Sequence, residues 1–275
     1  MSATQSEKAE RFRALHARAG AFVIPNPWDA GTARVLASLG FEALTTTSAG
    51  MAFTFGRRDG AATRDQSLSN AKAIADAVDV PVAADLENGF GHSPAQAAET
   101  IRLAGAAGLV GGSIEDASGD PAQPIYDFAH AVERVAAAVE AARTLPFPFV
   151  LVGRAENYLH GRPDLDDTIR RLQAFERAGA DVLFAPGLAR AEDIRVVCSS
   201  VGKPVNVVMG MKGVRLSVSD LAELGVRRIS LGGSLCRAAM AGLFAAAREI
   251  RERGTFSFAE AAVPSAELWP LMAGR

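Results

Sequence analysis

The sequence predicts a closed (β/α)₈ barrel of the TIM type, and three observations lead to it. Strand-length apolar runs alternate with helix-length segments eight times in 275 residues, and such near-continuous strands belong to parallel sheets covered by helices. Four helix–strand junctions repeat one local phrase: Leu39-Gly40-Phe41, Ala107-Gly108-Leu109, Ala178-Gly179-Ala180 and Leu224-Gly225-Val226. Each ends a helix on glycine, the residue best suited to a left-handed cap, and enters a strand. Eight such units in about 250 residues fill a closed barrel, whereas a doubly wound open sheet usually needs fewer. No Pro/Gly/Ser-rich linker divides the chain, so one domain is expected across 1–275.

In order, a charged first helix covers about 7–18, and residues 21–29 read as strand then turn. A helix from about Gly31 to Leu39 leads to a Thr-rich strand, Phe41 to Ser48, and then to a long loop, Ala49 to Thr63. The helix Gln66 to Val78 precedes the strand Val80 to Ala84. Ser93-Pro94 supplies an N-cap with proline at the first helical position, starting a helix that runs to about Ala107. Strand 109–114, loop 116–125 and helix 126–143 follow. Strand Phe149 to Arg154 precedes helix 165–178, strand Asp181 to Ala185 precedes helix 190–200, and strand Pro204 to Val208 precedes helix 217–224. The last strand, Arg228 to Leu231, runs into Gly232-Gly233-Ser234 and a helix to about Arg253. The tail from Phe256 keeps Phe258, Val263, Leu268, Trp269 and Leu271, so packing on this subunit or a neighbour should order it.

Composition excludes several classes. A net charge of −2 gives no basic field for nucleic acid and no polybasic membrane patch. No apolar run approaches the roughly 18 residues of a membrane span, and the charged N-terminus lacks a signal-peptide core. Two cysteines, Cys198 and Cys236, make a disulfide framework improbable, so a reducing cytoplasm is expected.

In a barrel of this kind the site lies at the C-terminal ends of the strands. There the strand ending at Ala84 runs into Asp85-Leu86-Glu87-Asn88-Gly89-Phe90-Gly91. Side chains two apart on a strand point the same way, so Asp85 and Glu87 are expected to converge. Glu115-Asp116 follows the next strand. The other strand ends offer Asn26, Trp28 and Asp29; Thr46, Thr47, Ser48 and the loop Asp59; Arg154 and Glu156; Asn206; and Ser234 with Arg237. Several carboxylates at one rim call for a hard, oxygen-preferring cation such as Mg²⁺. Arg154 is then free to hold a substrate carboxylate in a fork-like contact. Plainer readings stand beside these: Asp59 as a turn residue next to Gly60, His92 as a cap of the glycine turn, and Arg154 as an ion-pair partner of the acids. The Gly232-Gly233-Ser234 amides before the last helix could instead hold a phosphate.

Asp85-Leu86-Glu87-Asn88-Gly89-Phe90-Gly91 resembles the metal-binding D-x-D-x-G-[FY]-G signature of the isocitrate lyase/phosphoenolpyruvate mutase superfamily. Thr47-Ser48-Ala49-Gly50 with Asp59, Ile114-Glu115-Asp116, and Val152-Gly153-Arg154-Ala155-Glu156 match it in the family's order, over roughly residues 20–245. The resemblance implies a (β/α)₈ barrel, bound Mg²⁺ (with Mn²⁺ as the alternative), and small 2-oxo acid substrates or their enolates. It also implies a homodimer or homotetramer with the eighth helix swapped between partners. Carried over, Asp85 is the direct metal ligand, with Glu87, Glu115 and Asp59 on metal-bound waters. The amides of Thr47, Ser48 and Ala49, with Arg154, grip the substrate carboxylate, and Asn206 belongs to the substrate site.

The family's lyases place a Lys-[KR]-Cys-Gly-His segment after the fourth strand, whose cysteine protonates the leaving carbanion. Here residues 116–125 contain neither Cys nor His. The expectation is therefore a Mg²⁺-dependent carbon–carbon lyase in the broad sense, with decarboxylation of an oxaloacetate-type acid ahead of aldol-type cleavage. His92 or Tyr158 would have to serve as acid in the latter. A phosphonate mutase or hydrolase, or a non-catalytic 2-oxo acid binder, are the alternatives.

Overall fold

The structure, a computed structural model, describes residues 3–273, so the extreme ends of the expected 1–275 unit lie outside the described residues. Eight parallel strands form one nearly closed barrel: β1 (Phe22–Ile24), β2 (Leu44–Thr45), β3 (Val82–Asp85), β4 (Gly111–Glu115), β5 (Val150–Arg154), β6 (Val182–Phe184), β7 (Val205–Val208) and β8 (Arg228–Ser230). The ladder runs β1-β8-β7-β6-β5-β4-β3-β2. Between β1 and β2 the Thr45 amide donates to the Pro25 carbonyl at 3.1 Å. Buried Asn26 completes the seam, donating to the Thr46 carbonyl at 2.8 Å and accepting from the Leu231 and Gly232 amides at 2.8 and 2.9 Å. The Gly232 amide is thereby occupied and the Ser234 amide donates to the Leu231 carbonyl at 3.0 Å, so two of the three amides that the phosphate reading needs are taken.

Helices α1 (Gln5–Ala17), α2 (Ala30–Ser38), α3 (Ser48–Thr54), α4 (Arg64–Ala77), α5 (Pro94–Ala106), α6 (Phe128–Arg143), α7 (Leu165–Ala178), α8 (Ala191–Ser200), α9 (Val218–Glu223), α10 (Ser234–Arg253) and α11 (Ser265–Met272) complete the described chain. Gly40, Gly108, Gly179 and Gly225 all take positive φ, as the repeated junction phrase requires. Two differences from the sequence expectation lie together. The second strand is only two residues long, and the following loop contains α3. Both arise because the Thr47 hydroxyl caps α3, accepting from the Gly50 amide at 3.2 Å, and this turns the chain out of the sheet early. The tail packs on α2, where Arg34 donates to the Met272 carbonyl at 2.9 Å. No helix among the described residues is long and apolar enough to cross a membrane.

The core has two compartments. The larger lies between sheet and helices; the smaller fills the barrel itself, where Ala9, Phe12 and Leu15 of α1 meet Phe22, Ala83, Val110, Val150 and Val182. Helix α1 thus closes the N-terminal end of the barrel, and Phe12 enters where Gly111 has no side chain: a Cβ there would lie 2.7 Å from its ring. His16 sits edge-on to Phe12 and Phe22, at centroid distances of 4.7 and 5.1 Å. Its Nδ1 bonds the Phe12 carbonyl at 2.8 Å, while Nε2 is buried without a partner. Burial, then the charge of Arg228, pushes its pKa down to about 3.

The folded pKa of His16 lies below the unfolded value, so its contribution to stability is complete above about pH 6.5 and is lost as pH falls through 3. His16→Leu should therefore flatten the acid limb of the stability curve. In urea unfolding at pH 7 and pH 4.5, the wild type should lose roughly 2 kcal/mol more than the variant on acidification. Equal losses would show that protonated His16 is accommodated in place.

Candidate active site

The C-terminal rim gathers most of the polar residues read from the sequence. Arg154, the last residue of β5, lies at the centre. Its Nη1 reaches Glu115 at 3.1 Å and Asp85 at 3.4 Å, and its Nε donates to buried Glu156. Burial opposes the Arg154 charge, but Glu115, Glu156 and Asp85 outweigh it and hold the proton well above the ordinary arginine range. Asp85 is the hub of the opposite wall. Its Oδ2 accepts from the Ser48 hydroxyl at 2.9 Å and from the Ser48 amide at 3.4 Å, and its Oδ1 accepts from the Glu87 amide at 3.2 Å. The Ser48 amide thus faces Asp85 rather than open space, and the Ser48 hydroxyl is a partner the sequence reading did not single out.

Glu87 reaches the site by a different route from the expected one. Strand β3 ends at Asp85, and Glu87 adopts φ +49°, a left-handed conformation unfavourable for a residue with a Cβ. Phe90, at φ +57°, does the same. The alternation of strand side chains therefore stops at Asp85, and a strained turn delivers Glu87 instead; backbone outliers of this kind concentrate at functional sites. Gly89 between them has φ +81°, and a Cβ on it would lie 2.9 Å from the Ala97 backbone. Arg134 of α6, fully buried, holds the turn from beneath. It donates to the carbonyls of Asn88, Gly91 and His92 and lies 4.5 Å from the Tyr126 ring centroid. No local sequence signal marks it beyond a charge on an otherwise apolar helix face.

The acids divide by role. Loss of solvent raises the pKa of Glu87 to about 8, aided by the charges of Asp85 and Asp59. Burial raises Glu115 well above the usual carboxylate range, although Arg154 works against it. Asp59 is exposed as a residue, yet its carboxyl faces Ser48 and Asp85, and loss of solvent followed by the Asp85 charge raises its pKa. Asp116 points the other way from Glu115. It accepts from the Glu156 amide at 2.8 Å and from Arg171 at 2.9 Å, a buried tie between strand ends. Asp29 caps α2, accepting from the Thr32 amide at 2.7 Å. His92 bonds the Tyr126 hydroxyl through Nδ1 at 2.7 Å and borders the cavity, as does His160, whose Nε2 lies 3.7 Å from Glu156. Tyr158 borders neither cavity; Asp193, Asp164 and Arg190 are its charged neighbours.

Two connected cavities meet at Ser48, Asp59 and Arg154. The outer, about 910 Å³, is bordered by Glu87, Glu115, Glu156 and loop residues 117–119. The inner, about 240 Å³, descends into the barrel past Thr47, Ala49 and Asp85 to Asn206, which donates to the Ser230 hydroxyl at 3.1 Å. Loop 116–125 is pinned on itself by an antiparallel bridge between Ala117 and Ile125 and by the Ser118 amide on the Pro124 carbonyl at 3.0 Å.

The donor set fits a hard divalent cation. Glu87 Oε1 is buried without a hydrogen-bond partner, and Glu87 borders the outer cavity together with Asp59, Glu115 and Glu156. Among the described residues no three His, Cys, Asp or Glu side chains form a group that could hold an ion between them. One direct carboxylate with the remaining acids on bound water is the arrangement that suits Mg²⁺ in such a place.

Comparison with known proteins agrees with this architecture. The family model for phosphoenolpyruvate phosphomutase matches residues 12–251. A crystal structure of a candidate lyase/mutase from Burkholderia cenocepacia J2315 superimposes with a TM-score of 0.96 at 58% identity, covering 98% of this chain and 97% of that one. An uncharacterized protein of Mycobacterium tuberculosis H37Rv is 32% identical over 94% of each chain. The oxaloacetate decarboxylase of Paraburkholderia xenovorans LB400 is 33% identical over 159 residues, 55% of this chain and 50% of that enzyme. The family contains lyases and mutases acting on 2-oxo acids and their relatives. The chain belongs to the phosphoenolpyruvate phosphomutase family, within the isocitrate lyase/phosphoenolpyruvate mutase superfamily.

Proposed function

We propose that this protein is a Mg²⁺-dependent enzyme acting on a small 2-oxo acid, a carbon–carbon lyase in the broad sense, with decarboxylation of an oxaloacetate-type acid as its reaction. One observation carries the choice within the family. A complete carboxylate–arginine rim faces a loop, 116–125, that is tied to itself and contains neither thiol nor imidazole.

Asp85 would hold the ion directly, with Glu87, Glu115 and Asp59 on its water. When bound, Mg²⁺ supplies Lewis-acid stabilisation of negative charge on the oxygens of a 2-oxo acid. Arg154, kept protonated by Glu115, Glu156 and Asp85, orients the substrate carboxylate. Ser48 and the Glu87 amide hold the Asp85 carboxylate in one orientation. Cleavage that releases a carbanion needs a well-placed acid; loss of CO₂ does not, because water can protonate the enolate afterwards. The Paraburkholderia decarboxylase lends this reading further support.

The reading includes a homodimer or homotetramer in which α10 leaves its own barrel for a neighbour's. Cys236 is the one buried side chain on α10 among the described residues, while Leu243, Phe244 and Ile250 are exposed.

A ¹H NMR turnover screen tests the assignment, with Mg²⁺ or EDTA, over oxaloacetate, 2-oxoglutarate, isocitrate, methylisocitrate, substituted malates and phosphonopyruvate. The expected result is Mg²⁺-dependent loss of oxaloacetate above the metal-only background. Cleavage of a hydroxy acid would reassign the reaction to aldol-type chemistry, and turnover of phosphonopyruvate would favour the phosphonate branch. Saturable binding without turnover of any acid would make the protein a binder.

A further inference from the structure

Parallel strands in register show the same face at paired positions. Arg154 pairs with Phe184, Phe184 with Asn206, Asn206 with Arg228, and Arg228 with Phe22. This row follows the inner wall of the barrel from the acid cluster to the floor, and it carries two arginines, one at the rim and one next to Phe22 at the floor. The two arginines differ in company. Arg154 is neutralised by three carboxylates. Arg228 is 4% exposed, and its Nε and Nη1 have no hydrogen-bond partner. Its guanidinium lies 5.8 Å from the Phe12 ring centroid, and burial together with the Arg228 charge keeps the neighbouring His16 from taking up a proton. Burial lowers the pKa of Arg228 to about 9, so it is still charged near neutrality.

An unpaired buried guanidinium is costly, and a fold that keeps one has a use for it. Arg228 borders the inner cavity together with Asn206 and Ser230, and Asn206 Oδ1 is likewise buried without a partner. The Ser230 hydroxyl donates as readily as it accepts, so the Asn206 amide can exchange its ends and present Nδ2 to the cavity.

We propose that Arg228, with Asn206 and Ser230, forms an anion recess in the barrel floor that takes the carboxylate of a small organic acid. The carboxylate is either the far end of the substrate, an assignment that rests on the 2-oxo acid reading, or a separate small anion, which does not. In the first case the recess selects dicarboxylates over monocarboxylates.

Two measurements on the full chain decide this, with wild type, Arg228→Gln and Arg228→Lys. In thermal unfolding with EDTA, sodium formate is compared with a bulky sulfonate at equal ionic strength. Formate should raise the wild-type Tm saturably, by roughly 3 °C at tenfold excess over its Kd. Arg228→Gln should not respond, and Arg228→Lys should respond in part. In calorimetry with Mg²⁺, 2-oxoglutarate is compared with 2-oxobutyrate, which lacks only the far carboxylate. A wild-type preference of roughly 10- to 100-fold for the diacid, lost in Arg228→Gln with 2-oxobutyrate affinity kept, identifies the substrate as the source. A formate effect without diacid preference identifies a separate anion. No formate effect in the wild type, together with equal diacid preference in wild type and Arg228→Gln, overturns the proposal. Absence of any Mg²⁺-dependent binding of either acid counts against the 2-oxo acid reading instead, and the formate comparison still decides the recess. If Arg228→Gln does not fold, Asn206→Leu, which removes the amide at similar volume, is read in the same two measurements and should weaken both effects.

Discussion

Asp85→Asn should abolish detectable Mg²⁺ binding in calorimetry and lower turnover by roughly 10³-fold or more, the scale of several kcal/mol expected when a direct metal ligand is lost. The substitution keeps shape and volume. Its amide oxygen, in the place of Oδ1, can still accept from the Glu87 amide at 3.2 Å, and its NH₂, in the place of Oδ2, can donate to the Ser48 hydroxyl at 2.9 Å. What disappears is one negative charge at the point where Ser48, Arg154 and the β3 turn meet. Because that charge also raises the pKa values of Glu87 and Asp59, the variant without metal should be at least as thermally stable as the wild type. Lost binding with retained stability separates a functional carboxylate from a structural one. Unchanged Mg²⁺ affinity would remove Asp85 from the metal site, and a collapse of Tm would make it a strand-end anchor.

The barrel was legible in the sequence because parallel, doubly covered strands leave continuous apolar runs, and because the same glycine turn recurs at 40, 108, 179 and 225. The rim acids were legible for the same reason: a strand that ends in a carboxylate at the barrel mouth has little else to offer it to. Other features depend on distances that local periodicity does not encode. Arg134 and the Asn88 carbonyl it holds are 46 positions apart, and Arg171 meets Asp116 across 55. Glu87 arrived through a left-handed turn rather than strand alternation, since a pattern of residue types reports a face and not a sign of φ. Helix α3 was hidden because seven residues are too few to show a period. Arg228 reads from the sequence as the second of two adjacent arginines, where the last strand begins, and only the barrel shows that it borders the inner cavity while Arg227 is exposed.

Glu87→Gln should raise the stability of the metal-free protein at pH 8 and leave it nearly unchanged at pH 4.5. The folded pKa of Glu87, about 8, lies above its ordinary value near 4.5. Its contribution is therefore fully present below about pH 4.5, where both states are protonated, and is lost as pH rises through 8. The full shift corresponds to roughly 4–5 kcal/mol, and partial solvation of the carboxyl reduces the expected loss to about 2 kcal/mol. Glu115 and Asp59 are raised in the same direction, so the metal-free wild type should lose stability across this window. Glutamine removes the Glu87 part of that slope without changing its volume. Cation binding reverses the slope, since it favours the ionised acid. Mg²⁺ titrated at pH 7 in buffers of different ionisation enthalpy should release protons from the wild type, and close to one fewer per ion from Glu87→Gln. The variant's Mg²⁺ affinity should fall 10- to 100-fold, the range for a group acting through bound water. A flat stability profile with no proton release would place Glu87 outside the metal's reach, leaving its strained backbone at φ +49° without a function in this site.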